Sequence, residues 1–206
     1  MATPITHVAL TAKVFDKFFP EKRKKDFFVG TCFPDIRNLK VIKREETHFL
    51  GLKITDLALE DSFMAGLKFH SILDIYREKF IVENSTYDLC NGSKYIIHSV
   101  KLFEDLMFYE SIENWGEYIG YLDEVLPEQI SMGIEKVDIL KWHSILKQYF
   151  GQKPTQKTIA RFISSIGHPP EVIAEIIKDV EMLKRNKGVI GILKDLYENF
   201  DKLIVL

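Results

Sequence analysis

Helical periodicity recurs along nearly the whole of this 206-residue chain, and strand patterning is scarce. Val8, Thr11, Val14, Phe15 and Phe18 fall on one face of a helix that must stop at Pro20. Glu21 to Val29 restarts a helix until Gly30 and Pro34 break it, which leaves Asp35 in a turn. Leu57 to Phe80 predicts a long helix with Phe63, Leu67, His70, Asp74 and Arg77 along one stripe. Gly66, one turn before His70, bares backbone that a neighbour can approach closely. Further helices are expected over residues 93–109, 114–126, 135–150, 155–166, 171–187 and 189–204, punctuated by Gly151, Pro154, Gly167, Pro169 and Pro170. Residues 36–56 read as irregular, with a short extended piece around Val41 and Ile42. The expected fold is therefore all-α: one multi-helix globular domain over residues 1–206.

Composition narrows the setting. Hydrophobic residues make up 46% and include 15 Phe, enough to bury a sizeable core. A formal charge of -2 offers no general electrostatic case for nucleic acid or an anionic membrane. No apolar run reaches the roughly 18 residues of a transmembrane segment. The opening Met-Ala-Thr-Pro-Ile-Thr-His lacks the basic and apolar regions of a secretory signal. With only Cys32 and Cys90, free thiols and a cytoplasmic location are expected. Asn91-Gly92-Ser93 reads as a turn with Ser93 as an N-cap, and Lys22-Arg23-Lys24-Lys25 as a solvated helix face.

Several chemistries have no motif here. The chain contains no Gly-rich phosphate loop, His-Glu-x-x-His, Cys-x-x-Cys, Gly-x-Ser-x-Gly or adjacent His-Asp doublet. What remains is a scatter of histidine and aspartate: His7, Asp35, His48, His70 and Asp74. Imidazole nitrogen and carboxylate oxygen are the ligands that zinc and other borderline divalent ions accept. His70 and Asp74 are four residues apart on a helix, so both project from one face and can meet one ion. Each residue also has a structural alternative. His70 and Asp74 can form a hydrogen-bonded pair, His48 can be a core histidine, Asp35 a turn carboxylate and His7 a helix cap. His98 shares a helix face with Asp105 and is a candidate replacement ligand. His143 beside Trp142 reads as core, and His168 before Pro169 as a helix end. Arg44 and Arg77 can hold a phosphate or brace carboxylates.

Four segments occur in a telling order: Thr-His, then Gly-x-x-x-Pro-Asp, then Arg-x-x-Thr-His-Phe, then Gly-x-x-x-His-x-x-x-Asp. Over residues 5–77 this pattern resembles the zinc-dependent phospholipase C family, an all-helical group related to the single-strand-specific zinc nucleases. The resemblance implies that Asp35, His48 and His70 hold one zinc, that Asp74 bridges to a second, and that His7 binds the neighbouring ion. A metal-binding core is expected within residues 1–110, with residues 152–206 as a helical extension packed on it. Two features depart from the pattern. The family uses an amino-terminal Trp as a ligand, where this chain has Met-Ala, and its later His-x-x-x-Glu has no counterpart after Asp74.

The function expected on these grounds is metal-dependent phosphoester hydrolysis, with one or two ions of zinc, manganese or another divalent metal. Such ions acidify water to a pKa of about 7 and neutralise phosphoryl charge. Asp74 is the residue expected to matter for catalysis beyond holding metal; the sequence does not indicate the class of phosphoester. The rival is a non-catalytic helical scaffold that keeps a structural ion. A nucleotide phosphohydrolase of the His-Asp type is weakened by the missing doublet.

Overall fold

In the computed structural model, which describes residues 2–90 and 92–205, ten α-helices and four short 3-10 turns carry the chain, and no strand forms among those residues. Helix α1 spans Pro4–Phe18, α2 Lys24–Cys32 and α3 Ser62–Glu83. Pro4 sits in the first turn of α1, where a helix needs no amide donor. Asp61 starts α3 by accepting a 2.9 Å hydrogen bond from the Met64 amide. That cap explains why α3 begins later than Leu57. Then follow α4 (Ile96–Phe108), α5 (Trp115–Tyr121), α6 (Pro127–Ser131), α7 (Lys136–Phe150), α8 (Gln156–Ser165), α9 (Pro170–Leu183) and α10 (Lys187–Leu203).

Helix α1 lies inside the fold, and every residue from Pro4 to Thr11 is buried. It packs against α2, α4 and α10. The most intimate contact is between α2 and α3, where two glycines let backbones nearly touch. A Cβ at Gly66 would lie 1.9 Å from the Phe27 carbonyl oxygen, and one at Gly30 would lie 2.1 Å from that of Phe63. The close approach expected at Gly66 is therefore real, and Gly30 is its counterpart. The stripe of Phe63, Leu67, His70, Asp74 and Arg77 is buried throughout.

Arg77 at the inner end of that stripe is a structural brace. Its guanidinium is fully buried, donates to both oxygens of buried Glu104, and reaches Glu78 and the Tyr87 hydroxyl. A charge so deep is tolerable only with this degree of pairing.

Three local expectations change. Val41 and Ile42 form a bend, and residues 34–57 run through 3-10 turns at Pro34–Leu39, Arg44–Glu46 and Ile54–Leu57. The helix expected over 114–126 ends at Tyr121, and Pro127 initiates the separate α6. The basic run is not simply a solvated face. Lys22 donates to the Ala58 and Glu60 carbonyls, Arg23 pairs with Asp26, Lys24 with Glu117 and Lys25 with Glu124.

Residues 152–206 pack on the first half. Helix α9 lies on α4, where Asp179 accepts from the Ser93 amide and hydroxyl and from the Ser99 hydroxyl. Asn91 lies outside the described residues. Ser93 accepts from the Tyr95 amide just ahead of α4, which starts at Ile96. Cys32 is a buried free thiol and Cys90 a half-buried one.

Candidate metal centre

His70 is fully buried on α3, and its orientation is fixed from α2. Its Nδ1 lies 2.8 Å from the Thr31 carbonyl oxygen. A carbonyl only accepts, so the proton resides on Nδ1 and the lone pair on Nε2. His7 on α1 repeats the arrangement, with Nδ1 3.2 Å from the Thr3 carbonyl oxygen. His48 follows the 3-10 turn at Arg44–Glu46. Its Nδ1 is 3.0 Å from the Thr47 hydroxyl, which itself donates to the Arg44 carbonyl. The loop that carries His48 is pinned to α3 by a 3.0 Å hydrogen bond from the Phe49 amide to the Ser71 hydroxyl. Such outer partners set ring orientation in metal sites.

The three Nε2 atoms are buried and have no hydrogen-bond partner among the described residues. All three face Asp74. Its Oδ1 lies 3.3 Å from His7 Nε2, and its Oδ2 lies 3.6 Å from His70 Nε2 and 3.9 Å from His48 Nε2. The Ala2 amide also donates to Oδ1. Two overlapping donor groups result: His7, His70 and Asp74, and Asp35, His48 and His70, with ligand atoms in each group within 4.8 Å of one another. Asp35 occupies the 3-10 turn directly after α2 and carries Arg37 at 3.5 Å. Five of the six residues singled out from the sequence thus meet in one place.

A lone pair pointed at a carboxylate oxygen in a dry interior is unfavourable unless a cation lies between them. A proton does not serve at neutral pH. Burial, with His7 close by, lowers the His70 pKa to about 3, and burial lowers His48 to about 4. Burial alone would raise Asp74, yet the His70 and His7 rings hold its carboxyl well below the usual carboxylate range. His70 and His48 are therefore neutral and Asp74 ionised, the protonation states in which these groups ligate metal. Ligands about 2.0–2.1 Å from a tetrahedral ion are roughly 3.3–3.4 Å apart. The shortest donor separation, 3.3 Å between His7 Nε2 and Asp74 Oδ1, already matches that edge, and the donor types suit a divalent ion.

Other histidines lie elsewhere. His98 is outside both donor groups. It is exposed on α4, its ring centroid is 5.9 Å from that of His168, and it lines a different cavity. Its expected partner Asp105 is buried and accepts instead from the Thr6 amide and hydroxyl and from Tyr149. His98 is accordingly not placed among the ligands. His143 is core: Nδ1 meets the Leu122 carbonyl and Nε2 the Gln129 amide. Sequence reasoning missed the carbonyls of Thr3 and Thr31 that orient two rings, because a main-chain oxygen carries no residue signature.

A cavity of about 410 Å³ opens onto His48 and Asp74, with Arg44, Phe49, Leu50 and Ile75 along its walls. No helix among the described residues is long and apolar enough to cross a membrane. No known family, curated protein or solved structure matches the chain.

Proposed function

We propose that this chain is a metal-dependent phosphoester hydrolase of the zinc-dependent phospholipase C type. The observation that supports the reading is the convergence of three buried, unpartnered imidazole Nε2 atoms on Asp74. Asp35, His48 and His70 would hold one ion, and His7 with Asp74 a neighbouring one. His70 belongs to both donor groups but offers a single lone pair, so Asp74 would be the residue to link the two positions. Zinc suits this nitrogen-rich donor set, and when bound it activates water and withdraws charge from phosphoryl oxygens.

The chain's own residues supply the rest. Thr31 and Thr3 hold two rings in register, so the site needs little rearrangement to ligate. Arg44 lines the open cavity beside His48 and Asp74, where its planar fork can take two phosphoryl oxygens. Phe49, Leu50 and Ile75 offer apolar walls to the organic part of an ester. The depth of Asp74, 6% exposed, favours the second reading, a scaffold with a structural ion.

The deciding experiment measures bound metal on unchelated protein by elemental analysis and, on the same sample, turnover of bis(nitrophenyl) phosphate. About two ions per chain with turnover supports the hydrolase. Bound metal with no turnover of diesters, monoesters, lipids or nucleic acid turns the reading to the scaffold. No metal removes the premise of both.

A further inference from the structure

A second cavity, of about 260 Å³, meets the donor cluster at Asp35 and shares no lining residue with the one beside His48. Three separate segments furnish its polar walls. Arg37 and Asn38 come from the turn that carries Asp35, His98 and Lys101 from one face of α4, and His168 from the loop between α8 and α9. Phe162 and Ile166 close one remaining side, and Ala2, Thr3 and Pro4 at the start of α1 the other. A cavity this small suits a charged group with a few carbons rather than a large ligand.

Its charge is lopsided. Arg37 and Lys101 are cationic, the two imidazoles and the Asn38 amide add donors, and among the described residues Asp35, which Arg37 meets at 3.5 Å, is the only carboxylate in the lining. Asp35 belongs to the donor group with His48 and His70, so an ion held there would take up its charge. Lys101 is half-buried and enters no direct ion pair among the described residues, while the Glu78, Asp74 and Glu104 carboxylates act on it from farther off. Its segment is anchored, because the Thr3 hydroxyl donates to the Lys101 carbonyl at 2.8 Å. A partly desolvated cation on a fixed backbone, facing further donors, is a site for an anion.

We propose that this cavity binds a phosphate group. Donors that converge from three elements suit a tetrahedral oxyanion better than a planar carboxylate. A phosphate here also gives residues 152–206 a role at the site, since His168, Phe162 and Ile166 all belong to that segment.

The test titrates inorganic phosphate into the as-purified full-length protein by calorimetry, with Lys101→Met and His168→Gln alongside the parent. Lys101→Met keeps the aliphatic stem, and His168→Gln changes a partly exposed loop residue; circular dichroism confirms folding of both. We expect at least a tenfold loss of phosphate affinity in each variant, with bound metal unchanged by elemental analysis and acetate failing to compete at equal concentration. Phosphate affinity equal to the parent's in the folded variants overturns the proposal; if Lys101→Met does not fold, His168→Gln alone decides. Acetate that competes equally overturns the phosphate assignment, as does a parent that binds no phosphate. Failure of the hydrolase reading shows separately, as a parent without turnover whose Lys101-dependent phosphate binding persists.

Discussion

His7 and His70 stack their imidazole rings, with centroids 3.9 Å apart and planes 12° from parallel. Two imidazolium ions so close would repel, and His7 contributes to the lowered pKa of His70. The stack therefore selects the neutral form of the ring and directs both Nε2 edges at the same carboxylate. One helix brings each ring: α1 supplies His7 and α3 supplies His70.

His48→Ala and His70→Ala are each expected to strip metal and to destabilise the protein. Metal binding adds to folding free energy when its ligands come from distant segments. A loss of roughly 2 kcal/mol lowers the melting temperature by about 4–8 °C in a chain of this size. His143→Ala and His168→Ala keep their metal, because neither residue faces the cluster. Elemental analysis with thermal melts of all four variants checks this, and full metal content in the first two shows the ligand assignment to be wrong.

Asp74→Asn separates holding one ion from linking two. The amide keeps the size of the side chain and one acceptor oxygen, while Asp35, His48 and His70 remain as a donor group. The expected result is one ion per chain and a fall in diesterase turnover of at least about a hundredfold, of the order seen on removal of a key electrostatic group. An equally active variant would leave the hydrolase standing and remove the linking role of Asp74.

Acid should destabilise the protein in chelator well before carboxylates titrate. Burial holds His70 at about 3 and His48 and His143 at about 4, against 6.5 when unfolded. Between pH 6.5 and 4 the unfolded chain therefore takes up protons that the folded one refuses, and stability falls as pH falls. Asp105 opposes this, since burial raises its carboxyl to about 7 and its contribution is lost as pH rises from 3.8 towards 7. Three imidazoles outweigh one carboxyl. Urea midpoints at pH 7, 5.5 and 4.5 should decline steadily, at up to about 1.4 kcal/mol per pH unit for each net proton. A midpoint that rises towards pH 4.5 contradicts the buried neutral histidines.

Gly66→Ala should cost at least about 1–3 kcal/mol, the range for forcing a methyl group into a packed core. The overlap here is with the Phe27 backbone, which cannot swing aside as a side chain can. Because α2 also carries the Thr31 carbonyl that orients His70, pushing α2 from α3 should reduce metal content as well. A folded Gly66→Ala with parental stability and metal would show that the two helices have room to part.

Much of the helical layout was legible because Pro and Gly punctuate an otherwise continuous apolar period, as at Pro20, Gly151 and Gly167. Where local signals competed, boundaries moved: Asp61 captured the start of α3, and Pro127 opened a helix inside a stretch that read as one. At the site, the His70 and Asp74 pairing follows from helix geometry alone. The proximity of His7, Asp35 and His48 depends on how α1, the turn after α2 and the loop before α3 pack together, which no spacing within one segment encodes. For the same reason Lys101 was not singled out and His168 read only as a helix end. They are 67 residues apart in the chain, and only the packing of the final third beside α4 sets both on one wall.

The burial of α1 beneath α10 orders events during biosynthesis. Lys17 pairs with Asp201 across that contact, so residues 4–18 wait for residues 187–203 before their outer face is covered. A nascent chain still on the ribosome can pair α2 with α3, yet it cannot seat the helix that bears His7 against its last neighbour. The outer cover of the helix that bears His7 is thus completed only once residues 187–203 have been made.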